Sequence, residues 1–225
     1  MVPFRLSTAY NRAMAFLATR KTSLHARGIE RRKRLLQSAR ELLDSHELDA
    51  LTLGEVAARA KVPKGSAYFF YADIEDLYGS LLTQIQAELI AVLKRPIRSR
   101  IRRWQDIVGA LNERGMEFYQ RSRAARQLQI GPKTSPDLKL RDRQSDVAIG
   151  KVFEEHVASF FALPALENRS RVFFRAVEIA DLMFCLSVLE NGTITPEMGA
   201  EASRAAVAYL ESYFPASLPR KTRGT

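Results

Sequence analysis

The sequence predicts an all-α protein in two parts, a small N-terminal unit and a larger C-terminal bundle. Three observations carry this. Apolar residues recur with helical period nearly from end to end, no alternating strand pattern or hairpin turn of useful length occurs, and Pro, Gly, Asp and Thr stand where helices start and stop. The chain has 225 residues, 46% hydrophobic and 27% charged, enough for a sizeable core.

In residues 30–47, Leu35, Leu36, Ala39, Leu42 and Leu43 form the stripe of a first amphipathic helix. Thr52 and Glu55 then read as a capping box, with Leu51 and Val56 at the flanking staple positions. Leu53, Val56, Ala57 and Ala60 give that second helix, about 53–60, its buried face. Pro63 opens a third at 63–71, since its missing N–H is unpaired there anyway. Asp73 caps a fourth, with Glu75 and Asp76 favourable to its dipole, and Leu77, Leu81, Ile85, Leu89 and Val92 carry it to about 94, where Pro96 stops it. Further helices fall near 100–121, 123–129, 139–161, 169–190 and 196–214. The breaks are Gly131-Pro132, Ser135-Pro136, Leu163-Pro164 and the segment 192–196.

Formal net charge is +10 and is unevenly placed: residues 1–34 carry +8, 35–93 carry −5, 94–103 carry +6 and 104–219 carry −2. Basic blocks of this kind suit phosphate or an anionic surface. Residues 1–28 read as a flexible basic extension and 217–225 as a basic tail. One cysteine, Cys185, excludes an internal disulfide and a multi-Cys zinc site. His25, His46 and His156 lack metal-ligand spacing, and no phosphate-cradling Gly loop or nucleophile elbow is present. No metal, cofactor or enzymatic chemistry is expected. The apolar stretch 172–189 contains Arg175, Glu178 and Asp181, which argues against a membrane span.

The informative segment is 52–77. Two short helices joined by a few residues make a helix-turn-helix, whose second helix enters the major groove of DNA. Phe69, Phe70 and Tyr71 are consecutive, so they spread over roughly 200° of a helix and cannot share one buried face. Ala67 and Tyr71 face the small core, while Lys64 and Tyr68 project outward together. Gly65 and Ser66 keep that surface low for close approach. The lysine, hydroxyl and phenol are suitable donors to phosphates and base edges. The competing reading is an ordinary helical hairpin in a core.

The pattern Thr52-Leu53-x-x-Val56-Ala57-x-x-Ala60-x-Val62-x-Lys64-Gly65-Ser66-x-Tyr68-x-x-Tyr71-x-Asp73-x-Glu75-x-Leu77 resembles the recognition segment of the TetR family of transcriptional regulators. The resemblance implies a helix-turn-helix DNA-binding domain at 29–78 and a ligand-binding and dimerisation domain at 79–216. It implies a cytoplasmic homodimer on double-stranded operator DNA, most simply a repressor released by a small molecule. Carried over by position, Thr52 caps the supporting helix near a phosphate, Lys64, Gly65 and Ser66 begin the reading helix, and Tyr68 bonds a phosphate, with Phe69 beside it on the DNA face. An architectural or activating DNA-binding protein without an inducer is the alternative, and a helical enzyme or lipid-binding module is the rival from another class.

Several positions depart from the family pattern. Lys61 stands where glycine is frequent in the turn, and is strained if its φ is positive. Pro63 replaces a Ser or Thr cap, Phe70 a Tyr or His, and Ile74 a phosphate-gripping lysine. Asp73, Glu75 and Asp76 around Ile74 would repel phosphate. Arg27, Arg31, Arg32, Lys33 and Arg34, at the entry to the first helix, are therefore the expected source of phosphate contacts.

In the C-terminal part, 14 of the 18 residues in 172–189 are apolar, more than one face needs. A partner subunit is the natural cover for the second face, through the helices near 169–190 and 196–214, where Ala202, Ala205, Ala206 and Ala208 allow close approach. Trp104, Phe118, Tyr119, Phe160, Phe173, Phe174, Asp181 and Met183 are the candidate lining of a pocket for a largely apolar effector, against the plainer reading that the aromatics are core. Arg175, Glu178 and Asp181, three residues apart, read most simply as a structural pairing set. Cys185 reads as a packed thiol.

Overall fold

The computed structural model describes residues 8–221, with side chains from 26 onward except at 145. Among the described residues the chain forms nine α-helices and no strand, apart from one antiparallel bridge between Phe161 and Arg220.

The N-terminal unit comprises α1 (Thr8–Leu43), α2 (Leu53–Arg59) and α3 (Lys64–Phe70), with a 3-10 turn at Leu48–Ala50. The first helix thus starts well before residue 30, and residues 8–28, expected as a flexible extension, belong to it. Residues 1–7 of that extension, and 222–225 of the basic tail, lie outside the described residues. Leu35, Ala39 and Leu43 of α1, Val56 and Ala57 of α2, and Ala67 of α3 close one small core with Val62 and Tyr71.

The helix starts follow the local chemistry. The Thr52 side chain accepts from Glu55 N at 3.3 Å while Glu55 Oε2 accepts from Thr52 N at 2.8 Å. Such a cap stabilises a helix by about 1 kcal/mol. The turn after α2 closes as a Schellman motif, Val62 N bonding Ala57 O at 3.0 Å and Lys61 N bonding Ala58 O at 3.1 Å. That motif needs a left-handed residue after the cap, and Lys61 supplies it at φ 52°. Pro63 sits at the N-cap of α3, one position earlier than expected. Its extended ψ of 136° leaves its carbonyl free to accept from Ser66 N and Ala67 N.

α4 (Ile74–Leu93) starts at the Asp73 cap and runs from the small core into the larger one. The bundle adds α5 (Trp104–Arg121), α6 (Arg123–Ala125) continued by a π-helical turn (Arg126–Ile130), α7 (Pro136–Phe160), α8 (Arg169–Asn191) and α9 (Pro196–Glu211). The break expected at Ser135-Pro136 is instead a start. Ser135 caps α7 and Pro136 takes its first turn, so the helix begins three residues before the periodicity does. α8 packs on both α7 and α9, and α4 on α7. At Gly150 the backbone of α8 comes so near that a Cβ would lie 2.6 Å from Phe174 N.

The C-terminal tail is docked as far as Lys221. Leu218 is buried, Lys221 N bonds Phe160 O at 2.9 Å, and the Arg220 guanidinium lies over the Phe161 ring and donates to Ile101 O.

Candidate nucleic-acid interface and interior cleft

Helix α3 sorts its residues as its period requires. Ala67 is buried and Tyr71 behind it fills the small core, while Lys64, Gly65, Tyr68 and Phe69 are exposed and Ser66 half-buried. Phe70 packs inward against Gly28 of α1 with its ring 3.8 Å from the Cβ position there. Phe69 is left 83% exposed, the most exposed large apolar side chain among the described residues, and Tyr68 is 48% exposed. The Lys64 ammonium lies 5.9 Å from the Tyr68 ring centroid, so the two form one outward cationic and phenolic surface.

Between α1 and α3 runs an open groove of about 600 Å³, lined by Arg27, Arg31 and Arg32 on one side and Gly65, Ser66, Phe69 and Phe70 on the other. Arg31 Nη1 donates to Ser66 Oγ at 3.4 Å and the Arg32 guanidinium lies 5.6 Å above the Tyr71 ring, so the two arginines are positioned by α3 and by the residue that caps its C-terminus. Lys33 and Arg34 are exposed outside the groove lining. The acidic residues that open α4 are partly committed elsewhere. Asp73 accepts from Asp76 N at 2.9 Å, Asp76 from Ala72 N at 3.2 Å, and Glu75 from Ser135 Oγ at 2.8 Å. Thr52 is exposed beside α3, its hydroxyl donating to Glu55.

The larger domain holds a narrow cleft between α4, α5, α7 and α8. Of the expected pocket residues, Tyr119 and Asp181 line it, together with Leu89, Phe153 and Phe184. Its volume is about 20 Å³, room for roughly one water molecule. The other expected lining residues are elsewhere. Trp104 is fully buried at the end of the domain, its indole donating to Pro215 O at 3.0 Å, and Phe173 packs on Phe214. Phe118 faces an outer groove with Arg95, Arg98 and Arg114, while Phe160 lines another with Lys94 and His156. Phe174 and Met183 are half-buried outside the cleft. Of the apolar candidates only Trp104, Tyr119 and Phe173 are buried, so aromatic spacing separated neither core from cleft nor core from outer groove.

Arg175, Glu178 and Asp181 do not pair with one another. Arg175 turns outward to Tyr209 and Tyr213. Glu178 pairs with Arg143 of α7 at 2.6 Å, and Arg143 lies 3.6 Å from Asp146. Asp142 accepts from Gln86 Nε2 at 2.8 Å and from Gln129 Nε2 at 3.2 Å. Burial, reinforced by the neighbouring carboxylates, pushes Asp142 up to about 6, Asp181 to about 8 and Asp146 to about 10. The phenol of Tyr119 is pushed well above its ordinary value, by burial first and then by these carboxylates. Sequence reading missed Asp142 and Asp146. The available signal was their position on the apolar stripe of α7, four residues apart between Leu138 and Ile149.

Cys185 is a half-buried free thiol. His46 is exposed and His156 bonds Leu93 O at 2.9 Å, while the side chain of His25 lies outside the described residues. Among the described residues no cluster of His, Cys, Asp and Glu is arranged to hold a metal ion, and no helix is long and apolar enough to cross a membrane.

Comparison with known proteins agrees with this arrangement. Residues 102–214 match the family described as tetracyclin repressor-like, C-terminal domain, and residues 35–81 match bacterial regulatory proteins, tetR family. No curated protein matches the chain. Among solved structures it is similar to a TetR-family transcriptional regulator from Streptomyces coelicolor, with 20% identity, TM-score 0.63, and 82% of this chain and 99% of that one covered. A TetR transcriptional regulator from Rhodococcus sp. RHA1 is similar at 18% identity and TM-score 0.61, covering 82% and 98%. The multidrug binding protein EbrR, complexed with imidazole, is similar at 21% identity and TM-score 0.56, covering 80% and 94%. With both its N-terminal and C-terminal parts matched, the chain belongs to the TetR family of transcriptional regulators.

Proposed function

We propose that the chain is a ligand-responsive repressor that binds a pseudo-palindromic operator as a homodimer and is released by a small molecule. The observation that carries the DNA half is the outward face of α3. Lys64, Tyr68 and Phe69 stand clear of the fold over Gly65, beside a groove walled by Arg27, Arg31 and Arg32. In this reading Lys64, Gly65 and Ser66 approach base edges and backbone, Tyr68 and Thr52 meet phosphates, Phe69 faces the bases, and Arg31 and its neighbours, with Arg34 beyond the groove, supply the phosphate charge.

The dimer is proposed through α8 and α9. Arg175, Ile179, Leu182, Leu186 and Leu189 follow one another at alternating steps of four and three on the outer face of α8, with Leu182 and Leu189 each about half exposed. A strip of that spacing is what a helix presents to a second helix. Ala205 and Ala208 on α9 turn partly outward beside it, whereas Ala202 and Ala206 are inside. In two copies, such a pairing sets the distance between the two α3 helices, and a ligand acts by favouring a distance that fits the operator worse.

The test is a gel shift on DNA flanking the coding sequence. Wild-type protein should form a sequence-specific complex that Lys64→Ala with Tyr68→Ala abolishes, and Leu182→Glu should give monomers by analytical ultracentrifugation with weakened binding. Retained specific binding by the double variant would overturn the assignment of α3. The small volume of the cleft favours one competing reading, a regulator without an effector. Operator affinity indifferent to every small molecule tried would support that reading.

A further inference from the structure

We infer that Phe69 selects a base in the operator by packing on the methyl group of a thymine, so that each half-site carries a thymine at one fixed position under α3. This rests on the reading of α3 as the helix that enters the major groove, and names the feature of DNA that its central row of residues recognises.

Residues four apart on α3 form three parallel rows. Ser66 and Phe70 make the row nearest α1, where Ser66 accepts from Arg31 and Phe70 packs on Gly28. Lys64 and Tyr68 make the row on the other flank. The Lys64 side chain leans there towards the start of α2, its Cε 3.6 Å and its Nζ 3.9 Å from the Cβ position of Gly54. Gly65 and Phe69 lie between these rows. Phe69 is two residues from the buried Ala67, hence about 200° around the helix from it, and so points away from the small core. A Cβ placed on Gly65 would meet nothing within 4 Å. The central row is therefore a flat glycine followed by a protruding ring, with no side-chain donor or acceptor.

The surroundings say what covers that ring. Phe69 is 83% exposed and touches Phe70 edge-on, with 5.5 Å between ring centroids. Lys64 stands on one side of it, and Arg27, Arg31 and Arg32 line the groove on the other. Its complement must bring negative charge at both flanks and an apolar group at the centre. The major groove does so, with phosphates along its walls and one apolar group on its floor, the thymine methyl. The remaining base edges offer hydrogen-bonding atoms, which a phenyl ring would strip of water without replacing it. Because the flanking rows hold the polar side chains, this contact is a reading of shape and apolarity that adds to theirs.

The experiment starts by selecting duplexes from a random-sequence pool with the full-length wild-type protein. In synthetic copies of the selected site, deoxyuridine then replaces each symmetry-related pair of thymines in turn, deleting two methyl groups and leaving base pairing intact. Affinities of wild type and Phe69→Ala are read by fluorescence anisotropy, at salt low enough for both to bind. At one pair of positions the replacement should weaken wild type by about fifteenfold, about fourfold for each methyl, and leave Phe69→Ala unaffected. With cytosine at that pair, 5-methylcytosine should regain most of the same factor for wild type and none for the variant. Circular dichroism and thermal melts check the fold of Phe69→Ala, which loses an exposed side chain and should melt as wild type does.

A selected site in which no thymine methyl matters to wild type would overturn the inference, as would persistence of every such dependence in Phe69→Ala. Either result leaves the regulator reading standing. A wild-type protein that enriches no sequence from the pool fails that wider reading instead.

Discussion

Replacing Asp146 by Asn should remove one proton's worth of pH dependence from folding. The side chain lies on α7 among Asp142, Glu178, Asp181 and Arg143, with the phenol of Tyr119 close by. Burial, then the charges of Asp181 and Asp142 and a hydrogen bond with Glu178, push its carboxyl from an ordinary 3.8 up to about 10. An unfolded chain loses this proton near pH 4, whereas the fold keeps it. Across that window the native state holds one more proton than the unfolded state, so stability falls as pH rises. The slope is about 1.4 kcal/mol per pH unit for one proton, hence about 3 kcal/mol between about pH 6 and 8. Asn cannot titrate and contributes none of it. Asp181 is raised in the same direction and keeps its own slope, while His156, lowered by burial, acts in the opposite sense and below its ordinary 6.5. Urea denaturation in half-unit steps of pH should give an Asp146→Asn curve flatter by about one proton and a more stable variant at about pH 8. Parallel curves for the two proteins would refute a buried, proton-retaining carboxyl.

Three further outcomes follow from the geometry. Lys61→Gly relieves about 1 kcal/mol of left-handed strain and returns part of it as chain entropy, so a Tm higher by about 1–2 °C is expected, and a fall would contradict the φ of that turn. Neutralising Arg27, Arg31 and Arg32 together should flatten the plot of log affinity for operator against log salt by about 0.9 for each phosphate left without its cation, and an unchanged slope would remove the α1–α3 groove from the interface. Gly150→Ala forces α7 and α8 apart against the Phe174 backbone and should cost about 2 kcal/mol, a Tm lower by about 4–8 °C; an unchanged melt would contradict the close approach.

The sequence disclosed most where one helix and its caps decide the outcome. Thr52 with Glu55, Asp73 and the spacing of Ala67 against Lys64 depend on residues within four positions of each other, and the structure places all of them as their spacing implies. Lys61 stood out by its departure from the glycine frequent in the resembled family, and its φ of 52° meets the condition under which strain was expected. Contacts between distant segments were not legible. Trp104 and Tyr119 both read as large rings on α5, and only the docking of the C-terminal tail makes one a plug for the domain end and the other a wall of the cleft. Glu178 sits three residues from Arg175, yet it finds Arg143 across α7 because the side chains of α8 point outward on one face and inward on the other. Periodicity gives the faces of a helix but not what lies opposite each.

Gln127 and Gln129 show why that limit matters for regulation. The Gln127 carboxamide accepts from Leu48 N at 3.1 Å and donates to Leu43 O and His46 O, each at 2.8 Å, closing the C-terminus of α1. Two residues later in the same π-helical turn, Gln129 donates to Asp142 in the carboxyl cluster. A turn wound by one extra residue presents one amide to the DNA-binding unit and the next to the interior of the bundle. Coupling between two sites requires an element whose arrangement both can bias. Charge neutralisation at Asp142 alters the acceptor that Gln129 bonds, and a shift of that turn strains the bonds by which Gln127 holds Leu43 at the end of α1 and His46 and Leu48 just after it. Because α1 also carries Arg27, Arg31 and Arg32 along the groove facing α3, the arginines move with the helix that Gln127 caps. The π-helical turn thus joins the carboxyl cluster to the end of α1 through a chain of hydrogen bonds.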